Sequence, residues 1–511
     1  MTSPGTTPSD RRWWTLGAVC VATFMLLLDI TIVNVALPDI AKDLGSSFSD
    51  LQWVVDAYAL SLAALLLTAG SLADLLGRRL VFVIGLAIFT VASLLCALAT
   101  SPFFLDIARA LQGIGAAAMF ATSLALLAAS FTGRERGTAF GAWGATTGAA
   151  VAVGPLVGGV FTESFGWESI FLLNVPIGIA AIVATLLRVD ESSDPDAGSV
   201  DWAGLVTFSG GLFLLVFALV RGNPEGWGSP LIVSFLIGAV ALLIAFVVVE
   251  RRQTRPMFDL SLLRKRAFAG ASIAAFALSA SQFSLFLYMT LYIQNALGYA
   301  PLQAGLRFLP TTLLAFFVAP ISGKLSSTVP VRIMISAGLF LIGIALLLEA
   351  RLDADSEWTV LLPGFLIAGV GIGLINPPLA STAVGVVPPQ RAGMGSGINS
   401  TFRQVGIATG IAGLGALFQG LLSDKATGAL AHVPAEVLAT GSPRVAGPSP
   451  EAQHAYLTVF TSALNDLFVV GAVVAIAGGV LSALLIRSSD FVVAEGRRPA
   501  EEGEPAAVRA R

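Results

Sequence analysis

The sequence predicts an all-α integral membrane protein, and three observations carry that prediction. Hydrophobic residues make up 56% of the 511 and charged residues only 12%, about half the ~25% of soluble chains. The apolar residues gather into fourteen stretches, each able to cross ~30 Å of hydrocarbon as a helix of about 20 residues. Of the 29 Lys and Arg, 21 fall in the termini and alternate connections on one side, 5 on the other and 3 inside the stretches. The positive-inside rule makes the basic side cytoplasmic. An even number of spans then puts both termini there, in the membrane of a bacterial cell as the Arg-over-Lys and Ala-rich composition suggests.

The composition also excludes other classes. A net charge of −3 offers nothing to nucleic acid. Cys20 and Cys96 lie in apolar stretches, and His432 and His454 share one polar segment, so no disulfide framework or zinc site is expected. Neither a cofactor nor an enzymatic nucleophile–base–metal set is expected. The run from Gly393 to Gly397 follows no strand and precedes no Walker lysine, which argues against an ATP-driven pump.

Taken in order, the stretch 13–37 is too long for a signal-peptide core and holds Asp29 in its middle, so it reads as a retained helix. Stretches follow at 51–71, 80–99, 102–128, 138–161 and 169–187. With the first, they make an N-terminal six-helix bundle, 13–187, behind a short cytoplasmic tail, 1–12. Two further spans, 203–220 and 230–249, lie within an inserted segment, 188–266, that ends in a basic linker. Spans at 267–296, 302–323, 331–350, 358–384, 396–422 and 465–486 form a C-terminal bundle, 267–486, with an outer loop at 423–464. The polar tail 487–511 reads as disordered. Weak echoes relate the two bundles. Gly113 and Gly115 on span 4 match Gly369, Gly371 and Gly373 on span 12, and Gly70 to Arg79 matches Gly323 to Arg332. The offset of eight spans is what two six-span repeats with two spans inserted between them would give.

Charges inside a bilayer cost at least ~2.5–3.5 kcal/mol and therefore usually have a task. Asp29, Asp56 and Arg109 fall at similar depths in one half and are expected to share a water-filled pocket. A carboxylate between burial and a neighbouring arginine can load and release protons as its surroundings change. The alternative is a static ion pair that tethers helices. On span 5, Gly154, Gly158 and Gly159, with Pro155, continue a stripe of small residues, read either as close packing or as a dry seam that seals the pathway. Arg403 is placed near the cytoplasmic end of span 13, as an anchor or a pathway residue. With no carboxylate well inside a span of the second half, recognition there falls to aromatics and amides. The candidates are Phe276, Gln282, Phe283, Phe286, Tyr288, Tyr292 and Asn376, with ordinary packing as the alternative.

The chain resembles a family at several points in order. The run from Asp29 through Thr31 and Asn34 to Pro38, the segment Gly70 to Arg79, and Arg109-Ala110-Leu111-Gln112-Gly113 each match its signatures. So do Gly154-Pro155 with Gly158-Gly159, Asn174 to Gly178, Gly305 to Pro310, and Arg403-Gln404. These resemble the fourteen-span drug:proton antiporters, the EmrB/QacA-like branch of the major facilitator superfamily. Leu75 stands where that pattern has a base. The resemblance implies a major facilitator fold and proton-coupled efflux of lipophilic or cationic drug-like compounds, with the proton as coupling ion. A dedicated exporter of one natural product or lipid is the alternative; a receptor or scaffold would be a different class. It further implies gating by Asp74, Arg78 and Arg79, and substrate contacts from Asn34, Gln112 and Arg403. Small substrates and membrane lipids are the expected partners.

Overall fold

The computed structural model describes residues 8–45, 48–193, 200–253 and 256–487. The helices are α1 (Pro8–Leu44), α2 (Phe48–Leu76), α3 (Arg78–Ala97), α4 (Pro102–Ser130), α5 (Gly133–Phe165), α6 (Glu168–Arg188), α7 (Trp202–Glu225) and α8 (Pro230–Arg252). They are followed by α9 (Arg266–Ala296), α10 (Leu309–Leu325), α11 (Val331–Glu349), α12 (Leu362–Gly385), α13 (Ala392–Lys425) and α14 (Pro450–Leu485). Among the described residues, 12 helices are long and apolar enough to cross a membrane, or 13 with α10 and the bent turn before it taken together. The expected count of fourteen is not reached on that measure, because α5 is not among them. The terminal tails, 1–7 and 488–511, lie outside the described residues.

Helix ends follow from local chemistry. Ser101 caps α4 by accepting from Phe104 N at 3.4 Å, with Pro102 at the first helical position, which lacks only a donor the helix would not use. Between α2 and α3 the chain turns at Gly77, with φ 113°. That backbone conformation favours glycine, which alone adopts it without strain from a Cβ. Helix α9 is not uniform: π turns at Ser279–Phe283 and Tyr292–Ala296 interrupt it. Helix α14 begins at Pro450, well before the expected 465, because Ser449 caps it and Tyr456 and Phe460 bury in its first turns. The outer loop is shorter accordingly.

The echoes in sequence become matching crossings. Gly85 of α3 and Gly115 of α4 meet so closely that a Cβ on either would lie within 2.9 Å of the other's carbonyl. Gly338 of α11 and Gly371 of α12 meet the same way at 3.0 Å. Gly113 abuts the Tyr58 carbonyl of α2, and Gly369 the Thr311 carbonyl of α10. Small residues let backbones approach this closely, which is how helices associate without a hydrophobic drive between them.

The same correspondence holds between the halves. Gly70 of α2 meets Gly393 of α13, and Gly323 of α10 meets Gly137 of α5. One turn further in, Gly397 faces Leu66 and Leu67, and Gly141 faces Pro320. These contacts shut one end of the bundle, the end that carries Asp74. Of the inserted pair, α7 lies along the α2–α13 seam and α8 packs on the outside of α7. Thr68 bonds Ser209 at 2.8 Å, and Asn223 donates to the Ala412 carbonyl at 3.2 Å.

The α5–α10 contact gives a direct test. Gly137→Leu has no room against Gly323, and overpacking of about 1–3 kcal/mol would depopulate the shut end by about fivefold or more. In a cysteine-free background, a cysteine at Ser326 should label faster in Gly137→Leu than without it, and transport should fall. Equal labelling would mean that this contact does not hold the end shut.

Candidate functional site

The first cluster is built by five helices of the first half. Asp29 of α1 is 2% exposed and pairs with Arg109 of α4 at 2.5 Å. Its other oxygen accepts from Gln112 at 2.9 Å and from Asn174 of α6 at 3.0 Å. Gln112 also donates to Ser93 of α3 at 2.8 Å. Arg109 donates from Nε to the Val54 carbonyl of α2 at 2.9 Å, and its guanidinium lies 4.4 Å over the Tyr58 ring. Arg109 and Gln112 are three residues apart and so share a helix face. A buried ion pair of this kind is costly to break from one side, about 3–5 kcal/mol.

Asp56 is not in this cluster, contrary to the shared pocket expected. The reason is helical phase. Val54 and Tyr58, four residues apart, face Arg109; Asp56 lies midway between them in sequence and so projects from the opposite side of α2. Its electrostatic neighbour is Arg221 of α7, which lies 5.2 Å over the Trp53 ring and pairs with Glu225 at 2.7 Å. Gln112, expected at the substrate, is 0% exposed and belongs to the Asp29 cluster. Ser93 and Asn174 were not singled out for it. The signal for Asn174 was its place in the Asn174 to Gly178 motif.

The second cluster is at the shut end. Asp74 accepts from the backbone N–H groups of Gly393 and Met394, both at 2.8 Å, at the start of α13. That places a carboxylate where a helix N-terminus has unpaired donors and positive partial charge. Arg78 pairs with Asp74 at 2.9 Å and donates to the carbonyls of Pro389 and Gln390 at 2.8 and 2.7 Å. Asp74 and Arg78 thus cross between the halves. Arg79 does not: its backbone N–H bonds Glu191 at 2.9 Å and its guanidinium bonds the Leu186 carbonyl at 3.1 Å.

Gly154 and Gly158 pack on α1, against Thr31 and against Ile32 and Val35 respectively, within their own half. Gly159 has nothing within 4 Å of its Cβ position. The cross-half small residues of α5 are Gly137, Gly141, Gly144 and Gly148. The side chains of Asn34 and Pro155 lie outside the described residues.

In the second half, Tyr288 and Tyr292 are 5% and 1% exposed. They spend their hydroxyls on the carbonyls of Ile411 and Ser356, both at 3.1 Å. Phe276, Phe283 and Phe286 are half-buried; Phe286 stacks on Phe308 at 4.2 Å. Gln282, in the first π turn of α9, is buried with its Oε1 lacking a hydrogen-bond partner. Arg403 donates to Asn376 of α12. Because α13 starts at Ala392, Arg403 lies about 16 Å along it, deeper than the end position expected.

Comparison with known proteins bears on this arrangement. A family model described as Major Facilitator Superfamily matches residues 19–411. A probable actinorhodin transporter of Streptomyces coelicolor is 36% identical, over 83% of this chain and 76% of its own length. The multidrug resistance protein Stp of Mycobacterium tuberculosis is 36% identical over 90% and 83%. A puromycin resistance protein of Streptomyces alboniger is 37% identical over 83% and 84%. The crystal structure of the human organic anion transporter MFSD10 shares the fold, with a TM-score of 0.60 at 16% identity, over 91% of this chain and 99% of that one.

Proposed function

The chain belongs to the Major Facilitator Superfamily, a multi-pass membrane transporter and not an enzyme, and from that membership we propose a proton-driven exporter of lipophilic drug-like compounds. The observation that carries the reading is Asp29, a buried carboxylate held by one arginine and two amides of neighbouring helices. Protonating Asp29 removes the charge that Arg109 faces and frees the arginine toward α2, which it already grips at Val54. The same helix carries Asp74 at its far end, about 30 Å away at 1.5 Å per residue. A rigid α2 therefore links proton loading to the Asp74 contact with α13.

In this reading the Asp74 end is cytoplasmic, as are both termini. Taking α5 and the bent α10 pair with the other twelve helices gives fourteen spans. Two six-helix halves then flank the inserted α7 and α8, and the protein works by alternating access. A narrower reading, export of a single natural product, is favoured by relatives named for one antibiotic each, actinorhodin and tetracenomycin C among them.

A panel of lipophilic antibiotics and dyes tested in an efflux-deficient bacterial host decides between these readings. Broad protection, at least fourfold on the order of ~1 kcal/mol in retained compound, is expected. Protection against one compound alone would favour the narrower reading, and protection against none would overturn both.

A further inference from the structure

The arginines near or within the spans differ in what faces them. Arg109 has Asp29, Arg78 has Asp74, and Arg221 has Glu225. Arg307 lies 3.3 Å over the Tyr299 ring. Arg403 has only the amide oxygen of Asn376. Among the described residues no carboxylate pairs with it, and its buried Nε has no hydrogen-bond partner. A cation this deep in a membrane helix is costly unless something of opposite charge meets it.

Its position is also distinctive. Asn376 and Arg403 join α12 to α13, and each of those helices touches the other half close by. Pro377 meets Gly144 of α5, and Gly397 meets Leu66 and Leu67 of α2. Arg403 is half-buried, not sealed. Asn399, one turn before it on α13, is 5% exposed with its amide nitrogen unpartnered. Residues four apart share a helix face, so a second unused donor stands beside the guanidinium.

We propose that Arg403, oriented by Asn376 and with Asn399 beside it, is a binding subsite for an acidic group, a carboxylate or phenolate, on an otherwise lipophilic substrate. Guanidinium recognises such oxygens by charge-assisted hydrogen bonds in a planar fork. Asp29 and Asp74, by contrast, are each already matched by an arginine. The subsite rests on the exporter reading for its role, but its chemistry is tested by binding alone. It also replaces the expectation of cationic substrates with one of acidic substrates.

Two dyes with one xanthene skeleton serve as probes: fluorescein, which is acidic, and tetramethylrhodamine methyl ester, which is cationic and esterified. Binding to the purified full-length protein in nanodiscs is measured by fluorescence anisotropy, with empty nanodiscs subtracted. The wild type should bind fluorescein more tightly than the ester. Arg403→Gln should lose about tenfold or more in fluorescein affinity, the scale of a hydrogen bond to a charged group, and Arg403→Lys less. Asn376→Asp places a carboxylate on Arg403 and should abolish the preference for the acid while keeping the helices tied. Equal affinity of the wild type for both dyes, or fluorescein binding unchanged in Asn376→Asp, overturns the subsite. If the acid binds as expected but a pH gradient drives no uptake into everted vesicles, the subsite stands and proton-driven export fails.

Discussion

Asp29→Asn should abolish proton-driven transport while the protein still reaches the membrane. Asparagine keeps the size and removes the titrating oxygen. It also leaves the buried Arg109 guanidinium without a counter-charge, facing only neutral acceptors such as the Val54 carbonyl and Gln112, so thermal stability should drop, by up to about 3–5 kcal/mol. Pairing it with Arg109→Gln removes the orphaned charge and should recover much of that stability without recovering transport. Stability is read by thermal unfolding of the purified variants, and transport by substrate uptake in everted vesicles after a pH jump. Uptake by Asp29→Asn against a gradient would remove Asp29 from the coupling step. Recovery of transport in the double variant would reduce the pair to a tether.

Asp74→Asn should open the shut end. Asparagine can still accept one hydrogen bond, but it loses the charge that faces Arg78 and the first N–H groups of α13. Charged groups at a helix N-terminus contribute about 0.3–1 kcal/mol, and up to about 2 when partly buried. A shift of that size changes the ratio of shut to open conformers by about twofold to thirtyfold. Only a contact made in one conformer can shift the balance, and this one joins α2 to α13 across the halves. Spin labels at the Asp74 ends of α4 and α12 should report longer distances in Asp74→Asn, with slower transport. Unchanged distances and transport would leave Asp74 as a topology residue. Arg79→Gln, whose partners lie in its own half, should move neither quantity as far.

Much of this was legible in sequence because intramembrane charges and glycines are rare signals with few explanations. Asp29, Arg109 and Asp74 stand out against apolar surroundings. The glycine echoes marked real crossings, since only a missing Cβ permits such backbone contact. The misreadings have local causes. Asp56 was grouped with Arg109 by depth alone, but rotation about α2 sends it to α7. Gln112 looked like a recognition residue because a sequence does not show that Asp29 and Ser93 would take its amide nitrogen and Arg109 its oxygen. Arg403 looked terminal because the polar, glycine-rich start of α13 hides its first turns. The start of α14 was hidden likewise by Glu451, Gln453 and His454, although Tyr456 and Phe460 were burying beneath them. The role of Gly154 and Gly158 turned on which neighbour filled the space, and that neighbour, α1, is set by tertiary packing.

In the proposed cycle substrate and proton move in opposite directions through one protein, coupled at Asp29. The most direct measurement is proton flux driven by substrate alone. Proteoliposomes with equal pH on both sides and an internal pH-sensitive dye receive an outward substrate gradient, using a compound identified by the panel. The lumen should acidify as substrate leaves, and Asp29→Asn should abolish the signal. Substrate efflux with no change in lumenal pH would contradict the cycle.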